Sequence, residues 1–160
     1  MPKTIYKIEG ISLGTASSNT RYGRKEDSLL VTLPQESILS GKFTSNKLKA
    51  APVILAIENL LNLKKTEKIL LINAGNANAA TGPNGLKDVR KYCKEIALDF
   101  KTSQENVIPF STGVIGEPLA VENYLSAFRE ASKSLSENKW KKAAEAILTC
   151  LLYTSDAADE

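Results

Sequence analysis

Histidine is absent from the 160 residues of this chain. That absence excludes Ser-His-Asp and Cys-His catalysis within the chain, together with nearly all metal sites built on imidazole. The only cysteines, Cys93 and Cys150, do not make a disulfide framework or a metal site. We therefore expect no metal and no resident cofactor, so any chemistry must use hydroxyl, carboxylate, lysine or backbone amide groups.

Long apolar runs are also missing. No stretch approaches the roughly 20 residues needed to span a bilayer, and the N-terminus lacks the apolar core of a signal peptide. The net charge of +3 is spread along the chain, which is typical of a solvated surface rather than of a nucleic-acid interface. We expect one domain in the cytoplasm that binds neither membrane nor nucleic acid.

Short β-prone runs open the chain, and helical periodicity follows. Alternating or continuous apolar residues predict strands at 5–8, 11–13, 28–33, 37–43, 68–73 and 107–110, the last two buried. Apolar residues at helical spacing predict helices at 50–63, 85–100, 121–135 and 140–147, with Cys93 in the core. This order predicts an α/β (α+β) fold, in which a mixed, largely antiparallel sheet is layered with helices.

A loop of small residues, 74–85, follows a predicted strand and precedes a helix, where α/β folds place ligand loops. It matches neither the dinucleotide pattern G-x-G-x-x-G nor the P-loop. Three asparagines, Asn73, Asn76 and Asn78, could tie its backbone together through their amides. Three interpretations remain open: an anion- or nucleotide-binding cradle, a wall beside an active site, or a tight connection.

The sequence Ser111-Thr112-Gly113 ends the last predicted strand. It supplies a hydroxyl donor beside the backbone N–H of Gly113, which has no side chain to block access. Two donors aimed at one point stabilise an oxyanion during acyl transfer. Ser, Thr and Gly also punctuate ordinary loops, so a capped strand end before a helix is the alternative. From the residues alone, the capped strand end is the favoured interpretation.

Four motifs, in the order in which they occur along the chain, resemble those of a known family. The chain is similar to the amino-terminal half of the glutamate N-acetyltransferase / ornithine acetyltransferase family of arginine biosynthesis, over roughly residues 5 to 149. The asparagine-rich loop and the Ser-Thr-Gly motif are highly specific in combination. The motifs are Phe43-Thr-Ser-Asn46 with Lys49-Ala-Ala-Pro-Val53, Asn73-Ala-Gly-Asn-Ala-Asn-Ala-Ala-Thr-Gly82, Ser111-Thr-Gly-Val-Ile-Gly116, and Ala143-Ala-Glu-Ala-Ile-Leu-Thr149.

The resemblance implies transfer of an acetyl group from N2-acetylornithine to glutamate, and some members also use acetyl-CoA. It also implies that the chain forms part of an α/β/β/α sandwich. In the family, a precursor cuts itself into an alpha chain and a beta chain, and two chains of each type assemble. The new amino-terminal threonine of the beta chain is the nucleophile, with its own α-amine as base. Thr112 and Gly113 match the family's oxyanion pair, through a hydroxyl and an amide respectively. Thr149 matches a threonine that contacts substrate.

The family pattern stops after Thr149. The tail, 150–160, resembles translated sequencing-adapter read-through, so we expect the family domain to occupy residues 1–149. The self-cleavage site and the nucleophilic threonine are expected to be absent from this chain. We therefore expect the chain to be inactive by itself.

Overall fold

The computed structural model describes residues 5–21, 23 and 25–148 of the chain. A short 3-10 turn, Gln104–Asn106, precedes the last strand. The strands and α-helices in this part of the chain are β1 (Ser12–Ala16), β2 (Ser28–Leu33), α1 (Ala51–Leu61), β3 (Lys68–Asn76), α2 (Gly82–Asp99), β4 (Val107–Val114), α3 (Val121–Ser132) and α4 (Trp140–Ala146).

The strands form one sheet in the order β1-β2-β3-β4. The pairs β1–β2 and β2–β3 are antiparallel, whereas β3 and β4 are parallel and are connected through α2. A parallel pair needs such a crossover, because its second strand must start at the same end as the first. The predicted α/β class and the mixed, largely antiparallel sheet are confirmed.

The two faces of the sheet are covered unequally. On one face, Leu30, Ile69 and Val107 pack against α1, α2 and α3 in the larger core. On the other face, Leu29 and Val31 belong to a smaller cluster with residues of α4, which lies against β1 and β2. Near β4, the second face of the sheet is therefore less covered than the first.

The strand register identifies which β4 side chains lie on that second face. Cross-strand partners share a face, and successive side chains alternate between faces. Ile72 belongs to the smaller cluster and pairs with Phe110, and two positions further on Ala74 pairs with Thr112. Phe110 is 44% exposed, so the prediction that 107–110 is buried throughout is wrong at its last residue. No helix or strand of the described part covers it well enough to bury the ring.

Two predicted strands, 5–8 and 37–43, are not formed. The second was expected to pair back onto 28–33 as a hairpin. Both edges of β2 are already occupied, by β1 and by β3, so no backbone donors or acceptors remain for another neighbour. Alternation of apolar residues is insufficient without a free strand edge.

Helix α2 illustrates how the sequence pattern produces the packing. Val89, Cys93 and Ile96 recur at helical spacing and are fully buried. Pro83 lies in the first turn, where its missing N–H removes no intrahelical hydrogen bond. The helix begins at Gly82 rather than at 85, and β3 extends to Asn76. The prediction of Cys93 as a core residue is confirmed.

Candidate functional site at the carboxyl ends of β3 and β4

The parallel pair brings the asparagine-rich loop and the Ser-Thr-Gly motif together at one edge of the sheet. Asn73 pairs with Ser111, Ala74 with Thr112, and Gly75 with Gly113. The two chain segments continue side by side, since Ala77 donates its N–H to the carbonyl of Val114 at 2.9 Å. In open α/β sheets this edge, at the carboxyl ends of the strands, is where ligands bind.

Gly113 occupies a position that only glycine tolerates. Its φ is +135°, and a Cβ there would lie 2.2 Å from the carbonyl carbon of Gly75 and 2.6 Å from the amide nitrogen of Asn76. Those distances are far below van der Waals contact, and L side chains avoid this conformation. The close approach of the two backbones leaves the Gly113 amide without a side chain beside it.

Thr112 and Ser111 are adjacent hydroxyl residues in different environments. Ser111 lies on the face that α1, α2 and α3 cover, and its hydroxyl donates to Asn73 Oδ1 at 2.5 Å. Thr112 lies on the other face and is half-buried. Within the described part of the chain its hydroxyl makes no hydrogen bond, so it can donate to a bound molecule. The assignment of Thr112 and Gly113 as an oxyanion pair stays a prediction.

A tyrosine and an asparagine lie behind the motif, on the helix side of the sheet. Asn73 is fully buried, and its Nδ2 donates to the carbonyl of Asn76 at 2.7 Å. Tyr124 of α3 donates to the carbonyl of Ala74 at 3.0 Å. Burial raises the pKa of Tyr124, while the Thr20 hydroxyl acts in the opposite direction. The tyrosine therefore remains a neutral donor at physiological pH.

The pairing of Asn73 with Ser111 is the feature that sequence reasoning missed. Asn73 was noted only as one of three loop asparagines, and Ser111 only as part of a turn-like motif. The two belong to strands joined by a long crossover, so their contact depends on register rather than on spacing. The available signal is a polar residue directly after a run of apolar residues in each strand, Asn73 after 69–72 and Ser111 after 107–110.

The amides of the loop asparagines are occupied by bonds inside the protein. Asn76 Oδ1 accepts from the N–H of Asn78 at 2.7 Å, and its Nδ2 donates to the carbonyl of Glu117 at 3.1 Å. Asn78 donates to the carbonyl of Gly85 at 2.9 Å and accepts from the Thr81 hydroxyl at 2.7 Å. This geometry favours a wall beside a site over an anion- or nucleotide-binding cradle.

Two concavities flank the strand ends. A polar cavity of about 510 Å³ lies beside Gly75 and Asn76, where Arg21 and Glu117 form an ion pair at 2.9 Å. An apolar groove of about 710 Å³ lies between the loop and the first turns of α1 and α2, with Leu48 and Ile115 among its lining residues. These two side chains are 90% and 68% exposed, so the groove presents open apolar surface.

Several predictions concern residues or groups for which the structure gives no test. Thr149, the predicted substrate contact, and the whole 150–160 tail lie outside the described residues. Among residues 5–21, 23 and 25–148 there is no group of three or more Cys, Asp or Glu side chains placed to hold a metal ion. Nor does that part of the chain contain a helix with the length and hydropathy to cross a membrane.

The same motifs and fold occur in known proteins. A family model described as the ArgJ family matches residues 12–158. The arginine biosynthesis bifunctional protein ArgJ of Methylococcus capsulatus is 42% identical over 142 residues, covering 89% of this chain and 34% of that protein. The protein of the same name from Pseudomonas fluorescens is 38% identical over 146 residues, covering 91% of this chain and 35% of that protein. The chain thus spans about a third of the length of these curated relatives.

Solved structures agree with this relationship. Ornithine acetyltransferase from Mycobacterium tuberculosis, crystallised with ornithine, superposes with a TM-score of 0.80 at 25% identity, covering 89% of this chain and 77% of that chain. The arginine biosynthesis bifunctional protein ArgJ of Bacillus halodurans superposes with a TM-score of 0.77 at 26% identity, covering 91% of this chain and 75% of that chain. Since the family model matches nearly the whole chain, this protein belongs to the ArgJ family.

Proposed function

We propose that this chain is the amino-terminal part of an acetyltransferase of arginine biosynthesis, which moves an acetyl group from N2-acetylornithine to glutamate. Family membership supports this reaction, as do the names of the relatives and the ornithine complex of the Mycobacterium tuberculosis enzyme. The part assigned to this chain is stabilisation of the oxyanion. The nucleophile belongs to the part of the protein that lies beyond this chain.

The observation that carries the proposal is the geometry of Thr112 and Gly113. The Thr112 hydroxyl has no partner among the described residues, and it lies on the face of the sheet that the helices α1, α2 and α3 leave uncovered. The next residue must be glycine because its backbone contacts that of Gly75. A hydroxyl and an N–H on consecutive residues are suited to donate to a single oxygen atom.

The proposed chemistry proceeds through an acyl-threonine. The threonine oxygen of the second chain attacks the acetyl carbonyl carbon of acetylornithine, and the threonine's own α-amine takes the proton. The carbonyl oxygen becomes negatively charged and accepts hydrogen bonds from Thr112 Oγ1 and the Gly113 N–H. Collapse of this intermediate breaks the C–N bond and releases the ornithine amine with a proton. The glutamate amine then attacks the acetyl ester and gives up a proton, and the same two donors bind the oxyanion again. Collapse of this second intermediate breaks the C–O bond, so N-acetylglutamate leaves and the threonine oxygen regains a proton.

The second chain is also proposed to cover the open face of the sheet. Ile72 is only partly buried, and Phe110 beside it is 44% exposed. Exposed apolar surface of this kind is typical of a surface that another part of the protein covers. The proposed arrangement is the family's two alpha and two beta chains, produced by autocatalytic cleavage. The substrates are small polar metabolites, which supports a cytoplasmic location.

The test is a Thr112→Ala substitution in the full-length protein, with steady-state kinetics for acetyl transfer from N2-acetylornithine to glutamate. Loss of one oxyanion donor is expected to lower kcat by about 10²- to 10³-fold, with little change in the unfolding transition. Thr112→Ser, which keeps the hydroxyl, should retain most of the turnover.

Thr32→Ala is the matched control, since Thr32 is a strand threonine of β2 that pairs with Ile69, far from the carboxyl end of β3. It should leave kcat unchanged. Equal turnover for Thr112→Ala and Thr32→Ala would contradict the proposal.

Two further measurements test the remaining parts of the proposal. The 160-residue chain alone should show no transfer. Acetyl-CoA offered in place of acetylornithine distinguishes a bifunctional enzyme from one that only recycles acetyl groups.

A further inference from the structure

We propose that Asn73 and Ser111 are positioning residues, which hold Thr112 and Gly113 in the geometry that an oxyanion requires. This inference rests on the proposed function of Thr112 and Gly113 and extends it to two residues without a catalytic part. Neither Asn73 nor Ser111 lies on the face of the sheet where Thr112 presents its hydroxyl, so both act through the backbone of β4.

The Asn73 side chain connects β3 to β4 at the Asn73–Ser111 pair, three pairs before the pairing of the two strands ends at Asn76 and Val114. Its Oδ1 accepts the Ser111 hydroxyl at 2.5 Å, and its Nδ2 donates to the carbonyl of Asn76 at 2.7 Å. One fully buried amide thus joins the residue before Thr112 to the loop that contacts Gly113. The first bond ties β4 to β3 on the amino side of the Thr112–Gly113 peptide, and the second holds the Asn73 amide against Asn76, whose backbone lies beside Gly113.

The connection lies close to a buried tyrosine of α2. Tyr92 of α2 is fully buried, and its hydroxyl has no partner in hydrogen-bonding geometry among the described residues. Burial raises the pKa of Tyr92 well above its ordinary range, and the nearby Ser111 hydroxyl acts in the opposite direction. Ser111 thus has Asn73 as its hydrogen-bond acceptor, with a neutral hydroxyl close by.

Loss of the Ser111–Asn73 bond should release the end of β4. In a low-dielectric interior an unpaired amide oxygen is costly, so the strand end is expected to shift toward any other partner. Catalysis depends strongly on such shifts, because a displacement of about 1 Å can lower turnover on the order of a hundredfold. Substrate binding, which uses contacts spread over a larger surface, should depend on the shift much less.

The experiment is Ser111→Ala in the full-length protein, measured as kcat and KM for acetyl transfer. We expect kcat to fall by about ten- to a hundredfold, with KM within about twofold of the unsubstituted enzyme. A double substitution with Thr112→Ala isolates the mechanism. If Ser111 acts through Thr112, its effect on kcat should largely disappear once the Thr112 hydroxyl is removed.

Asn73→Ala and Asn106→Ala form a matched pair of controls. Both residues are fully buried asparagines with amides bonded inside the protein, but Asn106 lies at the amino end of β4. Both variants should unfold more easily than the unsubstituted protein. Only Asn73→Ala should also lower kcat in folded protein, as judged at a temperature well below both unfolding transitions.

The outcomes separate this inference from the proposed function. An unchanged kcat for Ser111→Ala, or an equal fold-change with and without Thr112→Ala, would overturn the positioning role while leaving the oxyanion proposal in place. A Thr112→Ala enzyme with normal kcat would overturn the proposed function itself. If Asn73→Ala does not fold, Ser111→Ala still decides the matter, because it removes only one hydroxyl from a half-buried site.

Discussion

The two ends of the β3–β4 pair each contain a fully buried asparagine, and the partners of the two side chains differ. At the amino end, Asn106 Nδ2 donates to the carbonyls of Thr66 and Lys64 at 3.0 and 3.1 Å, and its Oδ1 accepts from the N–H of Lys64 at 2.8 Å. Asn106 Nδ2 also donates to the Thr66 hydroxyl at 2.6 Å. At the carboxyl end, Asn73 Oδ1 accepts from the hydroxyl of Ser111, which belongs to the neighbouring strand β4 rather than to a turn.

That difference separates a structural role from a functional one. Asn106 bonds to backbone groups and to the Thr66 hydroxyl of the turn before β3, so it replaces hydrogen bonds that an irregular turn would otherwise lack. Asn73 bonds to a side chain whose neighbour, Thr112, keeps a hydroxyl unbonded among the described residues. A buried asparagine is therefore uninformative by itself, and its partners show whether it supports a loop or a site.

The largest effect is expected from adding a methyl group at the carboxyl end. Gly113→Ala would place Cβ 2.2 Å from the Gly75 carbonyl carbon at a φ of +135°. Strain and overlap together should cost about 3 kcal/mol or more in the free energy of unfolding, measured by urea denaturation.

Gly82→Ala is the control for backbone conformation alone. Gly82 also has a positive φ, of +62°, but its Cβ would meet nothing within 4 Å. The expected cost is only about 1 kcal/mol. Similar losses for the two variants would show that the close approach of Gly75 and Gly113 is unimportant.

The second prediction tests the amino end. Asn106→Ala leaves several backbone carbonyls and the Lys64 N–H without their partner, so the free energy of unfolding should fall by about 2–3 kcal/mol. Turnover of the folded full-length enzyme should stay within about twofold of normal, as the bonds that Asn106 makes all lie at the end remote from Thr112. A large loss of kcat at constant KM would remove the contrast between the two ends.

The third prediction compares two β4 side chains on opposite faces of the sheet. Val107 is fully buried under the helices, while Phe110 is 44% exposed. Val107→Ala should lower the free energy of unfolding of this chain by about 2 kcal/mol, and Phe110→Ala by about 1 kcal/mol or less despite the larger side chain. Phe110→Ala should instead weaken assembly with the second chain in size-exclusion chromatography. An unchanged assembly would show that the open face is not the contact surface.

The smallest expected effect concerns the buried thiol of Cys93 in α2. Burial raises the pKa of the Cys93 thiol well above its ordinary value of 9.0. Above that pH the unfolded chain releases the thiol proton while the folded chain keeps it, so the free energy of unfolding falls as pH rises. Cys93→Ala removes this contribution. Between about pH 8 and pH 10, the free energy of unfolding of the variant should therefore fall by about 1 kcal/mol less than that of the unsubstituted protein.

Tyr92 and Tyr124 have raised pKa values as well, and they remain in both proteins, so their alkaline contributions cancel in that comparison. Equal slopes for the two proteins would mean that the thiol ionises as readily in the folded chain as in the unfolded one. Stability at several alkaline pH values, from urea denaturation monitored by circular dichroism, is the measurement required.

Much of the fold could be predicted because it depends on local pattern. The apolar stripe of α2 and the uninterrupted apolar run of β3 lie where periodicity predicts them. The strand predicted over 28–33 has the same bounds in the structure. The hairpin predicted over 37–43 is wrong, since pairing depends on which strand edges are free, and β2 has none.

The candidate site divides in the same way. The sequence by itself determined the family, the absence of histidine chemistry and the identity of the Thr112–Gly113 motif, because these depend on residue type and order. Only the tertiary structure decided that Ser111 bonds to Asn73 while the adjacent Thr112 hydroxyl has no partner in the described part of the chain, and that Gly113 contacts Gly75. Those relations follow from the parallel register of β3 and β4, which a long crossover sets and no local pattern encodes.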